Sequence, residues 1–451
     1  MNFKKLMEPY CGAMEMALAK VVSFKSVFDE KTIGPNAPFG EGVSKALNYM
    51  AFLGENYGFN VDKCEGYCTE VSFGNGSNTI GIFGHMDVVP VNEKKWASDP
   101  FKMILKDGNY YGRGVSDDKG PCIASFYAVK MLKDNGLIPS NSTIKLVFGG
   151  DEEKGSKCIR YYFENLKKLA PKYSFTPDAT FPLIYGEKGI THFVLTGEKL
   201  FKNILSIKGG IAGNVVIDSC DFELVNSSEV IEKLKINNVP FEIKENKIYL
   251  TFKGHSAHAS MPELGDNAFI KGCKVLGKIL DEKILIGFAE SFADNKGKSF
   301  GGYLMSPELK ETTYSVGIIS YENEKLNCVV DFRYGENVKE PTELMNKLAT
   351  KIGVDLNPNF DLGKPLLVSK NSMLVKTLMS AYKDELKVED EPFTIGGGTY
   401  AKHIPNCVAF GPQFKGTETK IHEEDELLPK EELLKMAAIY ARAIFYLTKL
   451  K

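Results

Sequence analysis

The chain of 451 residues lacks an excess of either charge: 56 Lys and Arg stand against 58 Asp and Glu, a formal net charge of −2. Neither a nucleic-acid partner nor an acidic solvating arm is therefore expected. No apolar run reaches 18 residues, so no membrane partner or spanning helix is expected. No CxxC pair exists, and the nine cysteines are scattered, with only Cys64 and Cys68 close together. That usage argues against a disulfide framework and for a reducing, cytoplasmic location. Lys4 and Lys5 are followed by Glu8 rather than an apolar stretch, so no secretory signal is expected. Internal repeats and low-complexity linkers are absent too. Histidine is scarce: His85, His192, His255, His258, His403 and His422 are all there are.

Several catalytic patterns are also missing. Gly297-Lys298-Ser299 ends like a phosphate loop, but position 292 is Phe rather than the required Gly. His422-Glu423-Glu424-Asp425-Glu426 begins like a zincin helix, but its fifth residue is not His. No Gly-x-Ser-x-Gly elbow occurs.

Charged residues make up 25% and apolar residues 43%, the balance of a globular protein with an ample core. Helical periodicity covers roughly 8–24, 41–57, 119–134, 156–168, 267–280, 341–351, 372–385 and 430–449. Strand-like runs fall at 79–83, 143–148, 192–196, 203–207, 313–320 and 326–332, and Glu245-Asn246 reads as a hairpin turn. Residues 1–170 alternate strands and long helices, which predicts an α/β layered domain. Residues 190–365 predict α+β, and 366–451 return to helix, strand, helix.

Six short segments carry candidate chemistry. Gly84-His85-Met86-Asp87 follows the apolar run Thr79 to Phe83, where His85 could bind a metal while Asp87 orients the ring. A surface His beside an Asp is the plainer alternative. Gly112 to Gly120 contains Asp117-Asp118 just before a helix, where acids could cap the helix or bridge two cations. Asp151-Glu152-Glu153 follows the run Thr143 to Phe148. Neighbouring side chains of an extended segment point opposite ways, so one Glu could bind metal while the other holds a water. A solvated acidic turn is the alternative. Asp178 is unremarkable alone. His255 and His258 sit three apart in a middle segment, and His422 lies in a polar loop. Imidazole and carboxylate ligands without cysteine suit zinc, manganese or cobalt rather than a structural zinc site.

Taken in order, these segments resemble the co-catalytic di-zinc amidohydrolases and peptidases, a family that includes bacterial dipeptidase PepV, carnosinase, aminoacylases and glutamate carboxypeptidase. The likeness runs from His85 to His422 and rests on GHMD, GRGxxDDKG, DEEKGS, the His258-Ala259-Ser260-x-Pro262 motif and the late His. It implies two divalent metals per chain, zinc first, with manganese or cobalt as alternatives. His85 and Asp178 would hold one, Glu153 and His422 the other, and Asp117 would bridge them. Glu152 would be the general base and Asp87 would orient His85. The Asp117–Asp118 peptide would be cis.

The resemblance further implies an α/β catalytic domain, a mixed sheet flanked by helices, interrupted by an inserted α+β lid. Its segments would be 1–187 and 366–451, with the lid at 188–365. Asn214, His258 and Arg333 of the lid would reach the substrate, with His258 also stabilising the oxyanion and Arg333 gripping a carboxylate. Gly397, Gly398 and Thr399 would line the site from the second catalytic segment. Asp178, where deacylases and carboxypeptidases carry Glu, implies a monomeric dipeptidase of the PepV type. It would act on unmodified dipeptides of broad sequence, including Xaa-His or β-Ala-His. The alternative is an N-acyl amino acid deacylase or metallocarboxypeptidase of the same family. Two departures stand out. The tail after His422 is more acidic than usual, and Tyr334-Gly335 follows Arg333 where Pro is common.

Overall fold

The structure, a computed structural model, describes residues 1–450 and divides into two compact units. The first comprises Met1–Tyr185, Val368–Phe393 and Thr399–Lys451, and the second Gly186–Leu367 with Thr394–Gly398.

In the first unit, four strands run parallel and side by side: Ser142–Gly149, Asn78–His85, Tyr173–Thr176 and Cys407–Ala409. Their cores, such as Ile80, Ile82, Phe83, Leu146, Val147 and Phe148, are buried. A parallel sheet covered on both faces reads as such continuous apolar runs. Cys68–Gly74 and Asn60–Asp62 extend one edge antiparallel, and Ile184 pairs antiparallel with Ala409 at the other. The sheet is therefore mixed. Helix Lys119–Asp134 connects two of the parallel strands and packs against helices Cys11–Val22 and Lys430–Leu447. His85 lies opposite Gly149 in register, so the segments leaving these strands emerge at one edge. The carboxyl ends of parallel strands are where α/β folds place ligands.

The predicted helix over 156–168 is broken. An α-helical turn spans only Lys157–Arg160, and a π-helical turn follows over Tyr161–Asn165. There Tyr161 stacks on Tyr67 at 3.7 Å and the Tyr162 hydroxyl donates to Glu70.

The second unit carries an eight-stranded, wholly antiparallel sheet. Its longest strands are Gly189–Glu198, Thr313–Glu322 and Lys325–Tyr334. Helices Ala268–Leu280, Lys283–Ser291 and Pro341–Ile352 share its buried apolar cluster. The Glu245-Asn246 turn joins Glu242–Lys244 to Lys247–Lys253, with both turn residues at positive φ, as a type I′ hairpin needs. Helices Ser228–Ile236 and Lys283–Ser291 lie outside the predicted helical segments.

The segment 394–398 departs from the sequence expectation, which put it with the first unit. Thr394 donates from Oγ1 to the Glu308 carbonyl at 3.0 Å, and the Gly396 carbonyl accepts from Arg333 Nη1 at 2.6 Å. Both contacts tie it to the second unit.

Candidate metal centre

Strand Asn78–His85 delivers His85 to the sheet edge with 1% exposure. Gly84 precedes it because a Cβ there would stand 2.5 Å from Asp118 Oδ2 and 2.3 Å from Cys122 Sγ. The Asp118 carboxylate accepts the His85 N–H at 3.1 Å, so it serves the backbone while Asp117 faces the centre. The peptide between these two acids is cis.

Five donors converge. The ligand atoms of His85, Asp117 and Asp178 lie within 4.8 Å of one another, and so do those of Asp117, Glu153 and His422. Asp117 belongs to both groups. Its Oδ1 is 3.0 Å from His85 Nε2, and its Oδ2 is 2.9 Å from His422 Nε2. His422 Nε2 is also 3.0 Å from Glu153 Oε1, and His85 Nε2 is 3.9 Å from Asp178 Oδ2.

The electrostatics of this cluster are those of an unneutralised acid set. Burial raises the Asp117 carboxyl pKa, but the imidazoles of His422 and His85 outweigh it and hold that pKa low. Asp117 and Glu153 push His422 up to about 10. Burial, then the charge of Asp178, raises Glu152 well above the ordinary carboxyl range. Three carboxylates and two imidazoles facing one another fit divalent cations, which would take the place of the shared protons.

Asp87 plays a wider part than the sequence suggests. His85 Nδ1 lies 3.0 Å from the Asp87 backbone carbonyl and 3.5 Å from its carboxylate Oδ1. The two carboxylate oxygens accept the N–H groups of Glu152 and Glu153, each at 3.1 Å. Asp87 thus anchors the loop that bears the candidate base and a candidate ligand. The third acid of that run, Asp151, takes the N–H of Lys157 at 3.0 Å and starts the helical turn.

Of the acids after His422, Glu423 is exposed and Glu424 partly so, but the last is drawn inside. Glu426 is fully buried and pairs with Arg113 Nη1 at 2.8 Å. It also accepts the N–H groups of Gly114, Ser116 and Asp117 at 2.9, 2.8 and 3.1 Å. Asp425 accepts the Ala97 N–H at 2.9 Å, and Glu424 pairs with Lys95 at 3.4 Å. Sequence reasoning missed Glu426. The only signal was an acid four residues after a ligand histidine, and its partners lie about 310 residues away.

Within the second unit, Asn214 and His258 are brought together. The Asn214 carbonyl accepts the Ala259 N–H at 2.9 Å, and Val215 bridges His258. The exposed His258 ring has its Nδ1 2.7 Å from Ser260 Oγ and 3.3 Å from the Ser260 N–H. Arg333 is 2% exposed and paired with Asp331, from Nε at 2.8 Å and Nη2 at 3.0 Å. With Nη1 on Gly396, one N–H remains on each terminal nitrogen. Gly397 and Gly398 belong to this unit, whereas Thr399 belongs to the first, where it caps the short helix Tyr400–His403. His192, a bland residue in the sequence, lies 3.1 Å from Asp331 Oδ2.

The sequence pattern described as Peptidase family M20/M25/M40 matches residues 81–446. A Staphylococcus epidermidis protein named "Putative dipeptidase" is 33% identical, over 98% of this chain and 98% of its own. A Bacillus subtilis protein named "Putative dipeptidase YtjP" is also 33% identical, over 94% and 95%. Human carnosine dipeptidase 1 shares the fold at 13% identity, with a TM-score of 0.60 over 99% of this chain and 98% of its own. An M20 family metallo-carboxypeptidase from Sulfolobus solfataricus does so at 20% identity, with a TM-score of 0.60 over 97% and 99%. Among the described residues, no helix is long and apolar enough to cross a membrane.

Proposed function

The chain belongs to peptidase family M20/M25/M40 and is a metallopeptidase; on that premise we propose that it hydrolyses the peptide bond of unmodified dipeptides. The observation that carries the reading is the shared position of Asp117 between two converging donor groups, with Glu152 beside them. The names of the two bacterial relatives, each matching over nearly its full length, support dipeptides as substrates.

Two divalent cations, zinc first, would supply Lewis acidity and a water of lowered pKa. His85, Asp117 and Asp178 would hold one, and Asp117, Glu153 and His422 the other. Glu152 accepts a proton from the attacking water and returns it to the leaving amine. Asp87 keeps Glu152 and Glu153 in place through their backbones. His258 would donate from Nε2 to the developing oxyanion. Arg333 would offer its two remaining N–H groups to a substrate carboxylate. Asn214, Gly397, Gly398 and Thr399 would complete the substrate contacts.

The test is a panel of free dipeptides beside N-acetylated and N-succinylated amino acids. Metal-stripped protein is assayed before and after separate reconstitution with zinc, manganese and cobalt. Metal-dependent release of amino acids from the free dipeptides is expected. Preferential hydrolysis of the N-acylated compounds would overturn the reading in favour of a deacylase.

A further inference from the structure

Two loops bring Asp117 and His422 to the centre, and neither is a strand or helix. A loop that carries a metal ligand needs support, because a donor held loosely loses affinity for the ion. Glu426 fastens the two loops together through the backbone of the one that bears Asp117. It sits four residues after His422, and its carboxylate takes three N–H groups of the other loop, including that of Asp117 itself. Arg113 closes the arrangement: Nη1 pairs with Glu426, and Nη2 donates to the Glu423 carbonyl at 3.0 Å. The same guanidinium stacks over Trp96 at 5.2 Å. Burial raises the Glu426 pKa, while the N–H of Gly114 and the charge of Arg113 favour its ionised form.

We propose that Glu426 is a positioning residue that sets the register between Asp117 and His422, and so forms the position shared by Asp117, Glu153 and His422. Glu426 touches neither donor side chain and acts through the backbone. The other position shares Asp117 but takes its two further donors, His85 and Asp178, from segments that Glu426 does not hold, so it depends less on Glu426. His85 stands on a strand, and its Nδ1 is held by the Asp87 carbonyl, independently of Glu426. The role of Glu426 rests on the metal reading of the site.

The test is calorimetric titration of zinc into metal-stripped protein, comparing the wild type with E426Q, H422A and H85A. Gln at 426 keeps the shape but not the charge and cannot accept on both ends. Outer-shell losses of this kind typically cost about 10–100-fold in metal affinity. The binding step lost in H422A should weaken by that factor in E426Q, and the step lost in H85A by much less. Circular dichroism checks that E426Q is folded. If it is not, R113Q/E426Q removes both charges together, so that neither is left alone in the core; the same split is expected. A purely structural role would lower the melting temperature yet leave the two steps in the wild-type ratio, and that result overturns the proposal, as would equal weakening of both. No zinc uptake by the wild type overturns the metal reading itself, and the role of Glu426 with it.

Discussion

The Oδ1 atom of Asp87 accepts the backbone N–H of Glu152 at 3.1 Å across a sequence separation of 65 residues. Its Oδ2 does the same for Glu153 at 3.1 Å. The strand end that presents His85 is therefore fastened to the loop presenting the candidate base. D87N replaces one acceptor oxygen with an NH2 that faces an N–H. Loss of such outer-shell support typically costs about 10–100-fold. We expect kcat/KM to fall by that much while the protein remains folded. Steady-state kinetics alongside metal analysis checks this; an unchanged kcat/KM would leave Asp87 without a part in catalysis.

In the second unit, Asp331 balances the buried guanidinium of Arg333 through two hydrogen bonds. Burial raises the Asp331 pKa, but the bonds from His192 and Arg333 prevail and hold it below the usual range. Removing one partner of a buried pair leaves the other uncompensated, at about 3–5 kcal/mol. D331A should lose stability on that scale in urea unfolding. The double variant D331A/R333A should recover part of it, which a simple cavity effect would not produce.

The contrast between these two networks shows what a sequence can carry. His85, Asp117 and the Glu152-Glu153 pair follow a strand end or precede a helix, so local patterning marks them as candidates, whereas Asp178 is unremarkable alone and enters only through the family resemblance. Their convergence follows from parallel strands whose carboxyl ends share an edge. The roles of Asp87 and Glu426 arise from backbone groups distant in sequence, and nearly every residue offers an N–H, so no residue type marks the partner. The same holds for 394–398, whose glycines gave no sign that they join the second unit. The broken helix at 157–165 was hidden because apolar spacing there resembles an ordinary helical face, while the Tyr161 and Tyr162 contacts are tertiary.

His403 supplies a pH prediction away from the centre. His403 is exposed, yet partial desolvation by its neighbours, then the charges of Arg160 and Lys402, hold its pKa below the ordinary imidazole value of 6.5, so its contribution is small. As pH falls through that value, the unfolded chain takes up a proton that the folded chain resists. Stability is thus lost below about pH 6.5, since it declines wherever the unfolded state binds more protons as pH drops. H403Q should flatten part of that decline. Melting temperatures at mildly acidic and mildly alkaline pH for both proteins check it; identical slopes would contradict the assignment.

Catalysis in this scheme turns on Glu152, which must move the proton while Asp117, Glu153 and the histidines hold the cations. E152Q preserves the size of the side chain and its backbone bond to Asp87 but cannot accept that proton. General acid–base catalysis contributes about 10²–10⁴-fold. The measurement is the kcat of zinc-loaded E152Q on a free dipeptide, with its zinc content determined in the same sample. Two zinc ions per chain and a kcat lowered by that factor are predicted. Near-normal turnover with both ions bound would contradict the assignment of Glu152 as the base.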